Sequence, residues 1–278
     1  MKDLKLTLDD KKYTRKSGVL KNRVIAIANQ KGGVGKSTTA VNLTSYLGQF
    51  GFKTLIVDMD PQSNTTSGIG ITDISGKSSI YNVLISGENI SQVIVKTQYK
   101  NLEAVPSSIQ LAGAEVELVS SMKREYKLKE ALDKHKEDYD YIVIDCPPAL
   151  GLLTINALSA ATEVIIPIQC EYYALEGLGQ LINTIKLVRE NLNPDLAIAG
   201  ALMTMYDPRI KLAEQVIAEV KKYFPDKVYK TIIPRNVRLS EAPSYGKPIF
   251  LYDPECKGAQ AYKSFTKEVI ENGTKGIR

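Results

Sequence analysis

The sequence predicts a three-layer α/β fold: a mostly parallel, twisted sheet with helices on both faces. Three observations lead there. Short β-branched runs recur along the chain, amphipathic segments of helical spacing separate them, and the first run leads directly into a glycine-rich turn and a helix start. The runs are residues 24–28, 54–57, 102–105, 141–144, 163–168, 198–203 and 228–233. Most are continuously apolar, as strands buried on both faces must be. The helical spacing is clearest in residues 212–224, where Ala213, Val216, Ile217, Val220 and Phe224 share one face and Glu214, Lys221 and Lys222 lie off it. Residues 73–95 have weak periodicity and no assigned structure, and no internal repeat is present.

Length and composition set the frame. The chain has 278 residues, 44% hydrophobic and 24% charged, and no Pro/Gly/Ser-rich linker divides it. Residues 23–278 therefore read as a single domain, preceded by a basic and flexible extension, residues 1–22. No window is long and apolar enough to cross a membrane, and Met1–Lys5 lacks the apolar core of a signal peptide, so a cytoplasmic protein is expected. Cys146, Cys170 and Cys256 are few and widely spaced, with no CxxC pair, and read as reduced thiols. Charge is uneven. Residues 1–23 hold eight Lys or Arg against three Asp, residues 24–199 hold fourteen against nineteen acids, and residues 200–278 hold fourteen against nine. Two basic ends around an acidic middle point to an anionic partner, nucleic acid or membrane.

The richest motif is Gln30-Lys31-Gly32-Gly33-Val34-Gly35-Lys36-Ser37-Thr38. It follows the first apolar run and precedes a helix-like segment, residues 37–50. A strand, a glycine turn and a helix N-terminus in that order make a phosphate cradle: glycines let backbone N–H groups turn inward, and the helix start adds its positive dipole end. Lys36 reaches β- and γ-phosphates and the Ser37 hydroxyl can ligate Mg²⁺, as in a P-loop NTPase fold. The strict spacing asks for glycine at position 30. This chain has Gln30 there and an additional lysine, Lys31, beside the glycine pair: the deviant form, in which a second lysine can reach phosphates across a dimer interface.

Acids end two of the strands. The run 54–57 continues into Asp58-Met59-Asp60-Pro61-Gln62, and 141–144 into Asp145-Cys146-Pro147-Pro148. Strand alternation puts Asp58 and Asp60 on one side and Met59 on the other. Mg²⁺ prefers oxygen ligands, often through water, and in-line attack on a γ-phosphate needs a group that positions the water. Asp145 fits the holding of a Mg²⁺-bound water, Asp60 the positioning of the attacking water, and Asp58 a supporting Mg²⁺ role.

These motifs, together with residues 233–248 (Ile-Pro-Arg-Asn-Val-Arg-Leu-Ser-Glu-Ala-Pro-Ser-Tyr-Gly-Lys-Pro), resemble the ParA/Soj family of chromosome- and plasmid-partitioning ATPases, relatives of MinD. The resemblance runs from Arg23 to about Asn272, and the late block is its most specific part. It implies ATP and Mg²⁺ as ligands, a homodimer that sandwiches ATP face to face, and Lys31 on the opposite subunit's phosphates. It further implies non-specific binding of double-stranded DNA by that dimer, association with the nucleoid, and hydrolysis stimulated by a ParB-type centromere-binding protein. Arg209 and Arg238 match positions that resemble DNA-contacting arginines. Lys222, Lys227, Lys230 and Lys247 are candidates to flank them, and Met205, Pro234 and Asn236 mark the adenine side. No helix-turn-helix or zinc-finger pattern appears, so base reading is not expected.

Other readings weigh less. A MinD-like membrane ATPase needs a terminal amphipathic helix, whereas residues 271–278 hold two glycines and one large apolar residue, and Leu4, Leu6 and Leu8 alternate with period two. A cluster-bearing reductase would need more cysteines. A tyrosine kinase of this lineage would cluster its fifteen tyrosines in a tail, and here they are scattered. A structural nucleotide binder has no use for Asp60 beside Lys31. His135 lies in a charged stretch and reads as exposed.

Overall fold

The computed structural model describes residues 7, 9–15, 22–73, 76–171 and 177–275, with no side-chain account of 274 and 275. Seven strands form one sheet: β1 (Arg23–Ile27), β2 (Thr54–Asp58), β3 (Val95–Lys96), β4 (Leu102–Val105), β5 (Tyr141–Asp145), β6 (Glu163–Gln169) and β7 (Ala197–Thr204). Their order is β3-β4-β2-β5-β1-β6-β7, and every pair is parallel except β3 with β4.

Strand alternation divides the core in two. Val24, Ala26 and Ala28 face one cluster, and Ile25 and Ile27 the other. Against the first pack α4 (Leu111–Glu117), α5 (Lys127–Leu132), α6 (Leu152–Ala160), α7 (Leu178–Asn191) and α8 (Lys211–Tyr223). Against the second pack α1 (Lys36–Gln49), α9 (Val237–Glu241), α10 (Ile249–Tyr252) and α11 (Lys257–Lys275). Two short helices complete the set, α2 (Asn64–Gly68) and α3 (Ile90–Val93). The stripe on α8 is as spaced in the sequence: Ala213, Val216 and Val220 are buried and Ile217 packs at the edge.

One expected strand, residues 228–233, does not form. It meets β7 through the isolated bridge Val228–Ala201 and the Ile233 N–H, which donates to the Met203 carbonyl at 2.9 Å, and Pro234 bridges Tyr206 just beyond β7, without a continuous ladder. The N–H groups of Lys230 and Thr231 turn away from β7 and donate instead to the Glu268 carboxylate on α11, at 2.7 and 3.0 Å. The seventh strand is β3, two residues on the opposite edge, too short to leave a pattern. In the unassigned stretch 73–95, Asn82–Ser86 forms a turn of π-helix before α3.

Part of the extension is docked. Asp10–Tyr13 make a 3₁₀ turn on α11, where the buried Asp10 carboxylate meets Lys263 and Lys267, each at 2.7 Å. Tyr13 lies against Phe50 and donates its hydroxyl to Glu271 at 2.6 Å, and Arg15 pairs with Asp140 at 2.9 Å. Residues 1–6, 8 and 16–21, which complete the expected flexible extension, lie outside the described residues. His135 is half-buried rather than exposed, 3.5 Å from Asp138. Cys146 and Cys170 are buried, and Cys256 is half-buried in the loop just before α11.

Candidate active site

The C-terminal ends of β1, β2 and β5 meet at one edge of the sheet, where such folds open their clefts. Here a cleft of 1210 Å³ is lined by Gly32, Gly33, Gly35, Lys36, Ser37, Thr38 and Asp60 on one side and by Met205 and Pro234–Asn236 on the other. After β1 the chain turns through Gly33 (φ 73°) and Gly35 (φ 90°), a left-handed backbone that side chains rarely adopt, into α1. The turn is pinned from beside and below: Val34 is buried and its carbonyl accepts the Thr204 hydroxyl at 2.9 Å, while the Lys31 N–H donates to Asn29 at 3.0 Å. Lys36 is buried, and its ammonium rests on the Lys31 carbonyl at 3.0 Å. Burial lowers its pKa, and the charges of Asp145, Cys146 and Asp60 oppose that shift. Lys31, by contrast, sits half-buried beside the exposed Gly32 and Gly33.

Register sets the acids. Asp58 and Asp145 are direct neighbours on β2 and β5, both buried. Burial raises both pKa values, and for Asp58 the repulsion from Asp145 adds to it. Asp58 is saturated with donors: Oδ1 accepts the Asp60 N–H at 3.1 Å, and Oδ2 accepts the Thr66 N–H and hydroxyl at 2.8 and 2.6 Å. Asp145 Oδ2 accepts the Thr65 hydroxyl at 2.7 Å, whereas Oδ1 is buried with no hydrogen-bond partner. Ser37 lies near enough to favour the charged form, without closing a full hydrogen bond on Oδ1. An orphaned buried oxygen is costly, and a hydrated cation held between Ser37 and a polyphosphate would satisfy it. Among the described residues no cluster of three His, Cys, Asp or Glu stands ready to hold a metal alone. The residues thus fit Mg²⁺ carried in with phosphates. Asp60 is buried at the cleft wall, with Oδ1 accepting the Gln62 N–H at 2.9 Å.

Met205, Pro234 and Asn236, expected on the adenine side, line the same cleft. Met205 adopts φ 52°, a strained conformation for its type, at the end of β7, and Asn236 caps α9 through the Arg238 N–H at 2.9 Å. The sequence reading missed Thr65, Thr66 and Ser107 behind the acids. It also missed Tyr262, whose hydroxyl meets Thr39 at 3.1 Å, and Arg235, which lines the cleft and pairs with Glu171 at 2.9 Å. Of these only Arg235 lies in a quoted motif as a charged residue that could have been singled out.

The basic residues separate into two groups. Arg209 follows β7 at the cleft edge of the sheet, held bidentately by Asp207 at 2.9 and 2.6 Å. Arg238 on α9 is exposed, with Glu241 at 2.9 Å and Asp253 at 3.3 Å, and Lys247 lines the cleft nearby. Lys222, Lys227 and Lys230 lie elsewhere. Lys227 donates to the Ile198 carbonyl at the start of β7, Lys222 is at the far end of α8, and Lys230 sits beside Glu268. At ~3.3 Å per strand residue, the two ends of the eight-residue β7 are about 23 Å apart. The structure does not bring those three lysines to Arg209.

A glycine turn, a buried lysine and a hydroxyl at a helix start, facing acids that end two adjacent strands, define a P-loop nucleotide-binding protein of the two-lysine form. The AAA domain family matches residues 22–198. The chain is 59% identical over 251 residues to the sporulation initiation inhibitor protein Soj of Bacillus subtilis strain 168, covering 90% of this chain and 99% of that protein. It is 52% identical over 252 residues to the chromosome partitioning protein ParA of Myxococcus xanthus, covering 91% and 89%. A solved structure, cobyrinic acid a,c-diamide synthase of Mycobacterium smegmatis with a bound ATP analog and magnesium, superposes with a TM-score of 0.78 at 39% identity, covering 88% and 93%. The chain belongs to the ParA/Soj family of chromosome-partitioning ATPases.

Proposed function

We propose that the protein is a Mg²⁺-dependent ATPase that closes into an ATP sandwich dimer, binds duplex DNA without sequence preference in that form, and works with a ParB-type partner in chromosome or plasmid segregation. The observation that carries the reading is the convergence of Lys36, Ser37 and Asp60 in one cleft, with Asp145 buried beside Asp58 at the adjoining strand ends and Lys31 half-buried next to the exposed Gly32 and Gly33. Lys36 leaves the Lys31 carbonyl for the β/γ-phosphates, and the Lys31 side chain faces the partner subunit's nucleotide. Asp60 orients the attacking water. Ser37, with Asp145 behind it, would hold Mg²⁺, which when bound neutralises charge on the β- and γ-phosphates. An arginine delivered to the transition state is worth roughly 10³–10⁵-fold. Arg235, which lines the cleft, is engaged by Glu171, so a low intrinsic rate raised by a partner is expected.

A membrane-associated role of the MinD kind has less support. The apolar stripe of α11, with Ala259, Tyr262, Phe265, Val269 and Ile270, is spent on the core. Among the described residues no helix is long and apolar enough to cross a membrane. DNA contact is assigned to Arg209 and Arg238, with Lys247 in support. Arg209→Glu and Arg238→Glu should each weaken ATP-dependent DNA binding at least about tenfold, because a phosphate contact is replaced by a repulsion on both halves of a dimer. Both should still dimerise with ATP in size-exclusion chromatography. Wild-type DNA binding by both variants would move the DNA face elsewhere.

A further inference from the structure

Behind the acids lies a layer of hydroxyls that the ATPase reading above does not use. After Asp60 the chain turns at Ser63 in a left-handed conformation, φ 54°, and doubles back as α2 over the ends of β2 and β5. A non-glycine residue held there costs about 1 kcal/mol or more, and the reversal brings two consecutive threonines onto two different carboxylates. Thr65 donates its hydroxyl to Asp145 Oδ2 at 2.7 Å. Thr66 donates both its N–H and its hydroxyl to Asp58 Oδ2.

The proton direction at Thr66 is fixed. Its Oγ1 accepts the Ser107 N–H at 2.9 Å, so its own proton points at Asp58. Ser107 then reaches past it to donate its hydroxyl to the Asp60 carbonyl at 2.7 Å. Thr65, Thr66 and Ser107 are all buried. Each of the three acids therefore has a hydroxyl-bearing residue from outside its own strand against it, two of them on the carboxylate and one on the backbone.

We propose that Thr65, Thr66 and Ser107 are positioning residues of the ATPase site: a hydroxyl latch that fixes the carboxylate orientations needed for Mg²⁺ and the attacking water. With Oδ2 of Asp145 occupied by Thr65, the oxygen left for a metal-bound water is Oδ1, the one without a partner. With Asp58 taken by three donors, it would support the metal site from behind rather than act as a ligand. Hydrogen bonds that orient metal-site groups commonly contribute 10–100-fold to metal affinity or activity. The assignment rests on the Mg²⁺–ATP reading of this same cleft.

The test compares Thr65→Val and Thr66→Val with Thr65→Ser and Thr66→Ser in the full-length protein, with Thr→Ala forms repeating it where valine disturbs packing. Mn²⁺ stands in for Mg²⁺, and its affinity in the ADP complex is read from the electron paramagnetic resonance of the free ion. The hydroxyl-free variants should lose about 10-fold or more in Mn²⁺ affinity and a similar factor in kcat. They should keep ADP affinity in EDTA within about threefold of wild type, since the phosphate loop is untouched. The serine variants should recover both losses. In an Asp58→Asn background, Thr66→Val should add little further loss, because its effect passes through that carboxylate. Hydroxyl-free variants that bind Mn²⁺ like wild type overturn the latch, as do serine variants that fail to restore it. A wild-type protein that binds no Mn²⁺ with ADP overturns the nucleotide reading itself, and the latch with it.

Discussion

In the mechanism proposed above, Asp60 divides binding from hydrolysis. It reaches the cleft wall without touching the Lys36 ammonium, which rests on the Lys31 carbonyl. Asp60→Ala should therefore bind ATP within a few-fold of wild type, while phosphate release falls by about 10²-fold or more, the usual range for a lost proton-handling or water-orienting group. Trapped in the ATP state, the variant should elute as a persistent dimer. Phosphate release at the wild-type rate would remove Asp60 from the mechanism. At this scale the sequence was informative, because phosphate and Mg²⁺ chemistry demands particular residue types at fixed spacing: Lys36, Ser37 and Asp60 line one cleft, Asp58 and Asp145 are paired at the adjoining strand ends, and Lys31 lies beside the glycines. Thr65, Thr66 and Ser107 were not legible. A threonine or serine in a chain carries no mark of what its hydroxyl meets, and these partners come from other segments, between 8 and 80 residues away.

Among the elements, strands buried on both faces announced themselves by composition, and six of the seven expected runs stand within a residue or so of their expected ends. The exception, residues 228–233, is as β-branched as the others. What bears on it is Glu268, 37 positions from Thr231, which captures the Thr231 N–H that a ladder beyond Tyr229 would need, and the Lys230 N–H with it. Tertiary capture of this kind leaves no local trace. The docked extension is a second case: its lysines suggested a free basic arm, yet Asp10 is the residue that anchors it. Burial alone would raise the Asp10 pKa, but Lys263, Lys267 and Thr7 outweigh it and hold the carboxylate well below its ordinary value of 3.8. A depressed folded value means stability that is complete above the ordinary value and lost as pH falls below about 4. Asp10→Asn should thus cost about 1–3 kcal/mol at pH 7, by leaving two lysines against a neutral partner. The cost should shrink on acidification below pH 4. Thermal melts across pH check this, and a variant as stable as wild type at pH 7 would mean the docking contributes nothing.

For the whole molecule the net charge of +5 is less telling than its layout. Arg209, Arg238 and Lys247 gather near the cleft, while Lys222, Lys227 and Lys230 lie toward the other end of β7 and on α11's side. The basic C-terminal third read from the sequence is therefore two surfaces, a division that only the path of α8 back along the sheet reveals. If the arginines on the cleft side make the DNA contact proposed above, nucleotide state would govern them: a dimer closed over ATP would present two copies to one duplex, doubling the phosphate contacts. The direct measurement is a titration of duplex DNA of arbitrary sequence with ATP, with ADP and without nucleotide, on wild type and Lys31→Ala, repeated over a range of salt. Binding should be tight only for wild type with ATP, with log affinity falling by roughly 0.9 per log unit of salt for each phosphate neutralised. Equal binding in all three nucleotide conditions, or in Lys31→Ala with ATP, would contradict a DNA switch built on an ATP-closed dimer.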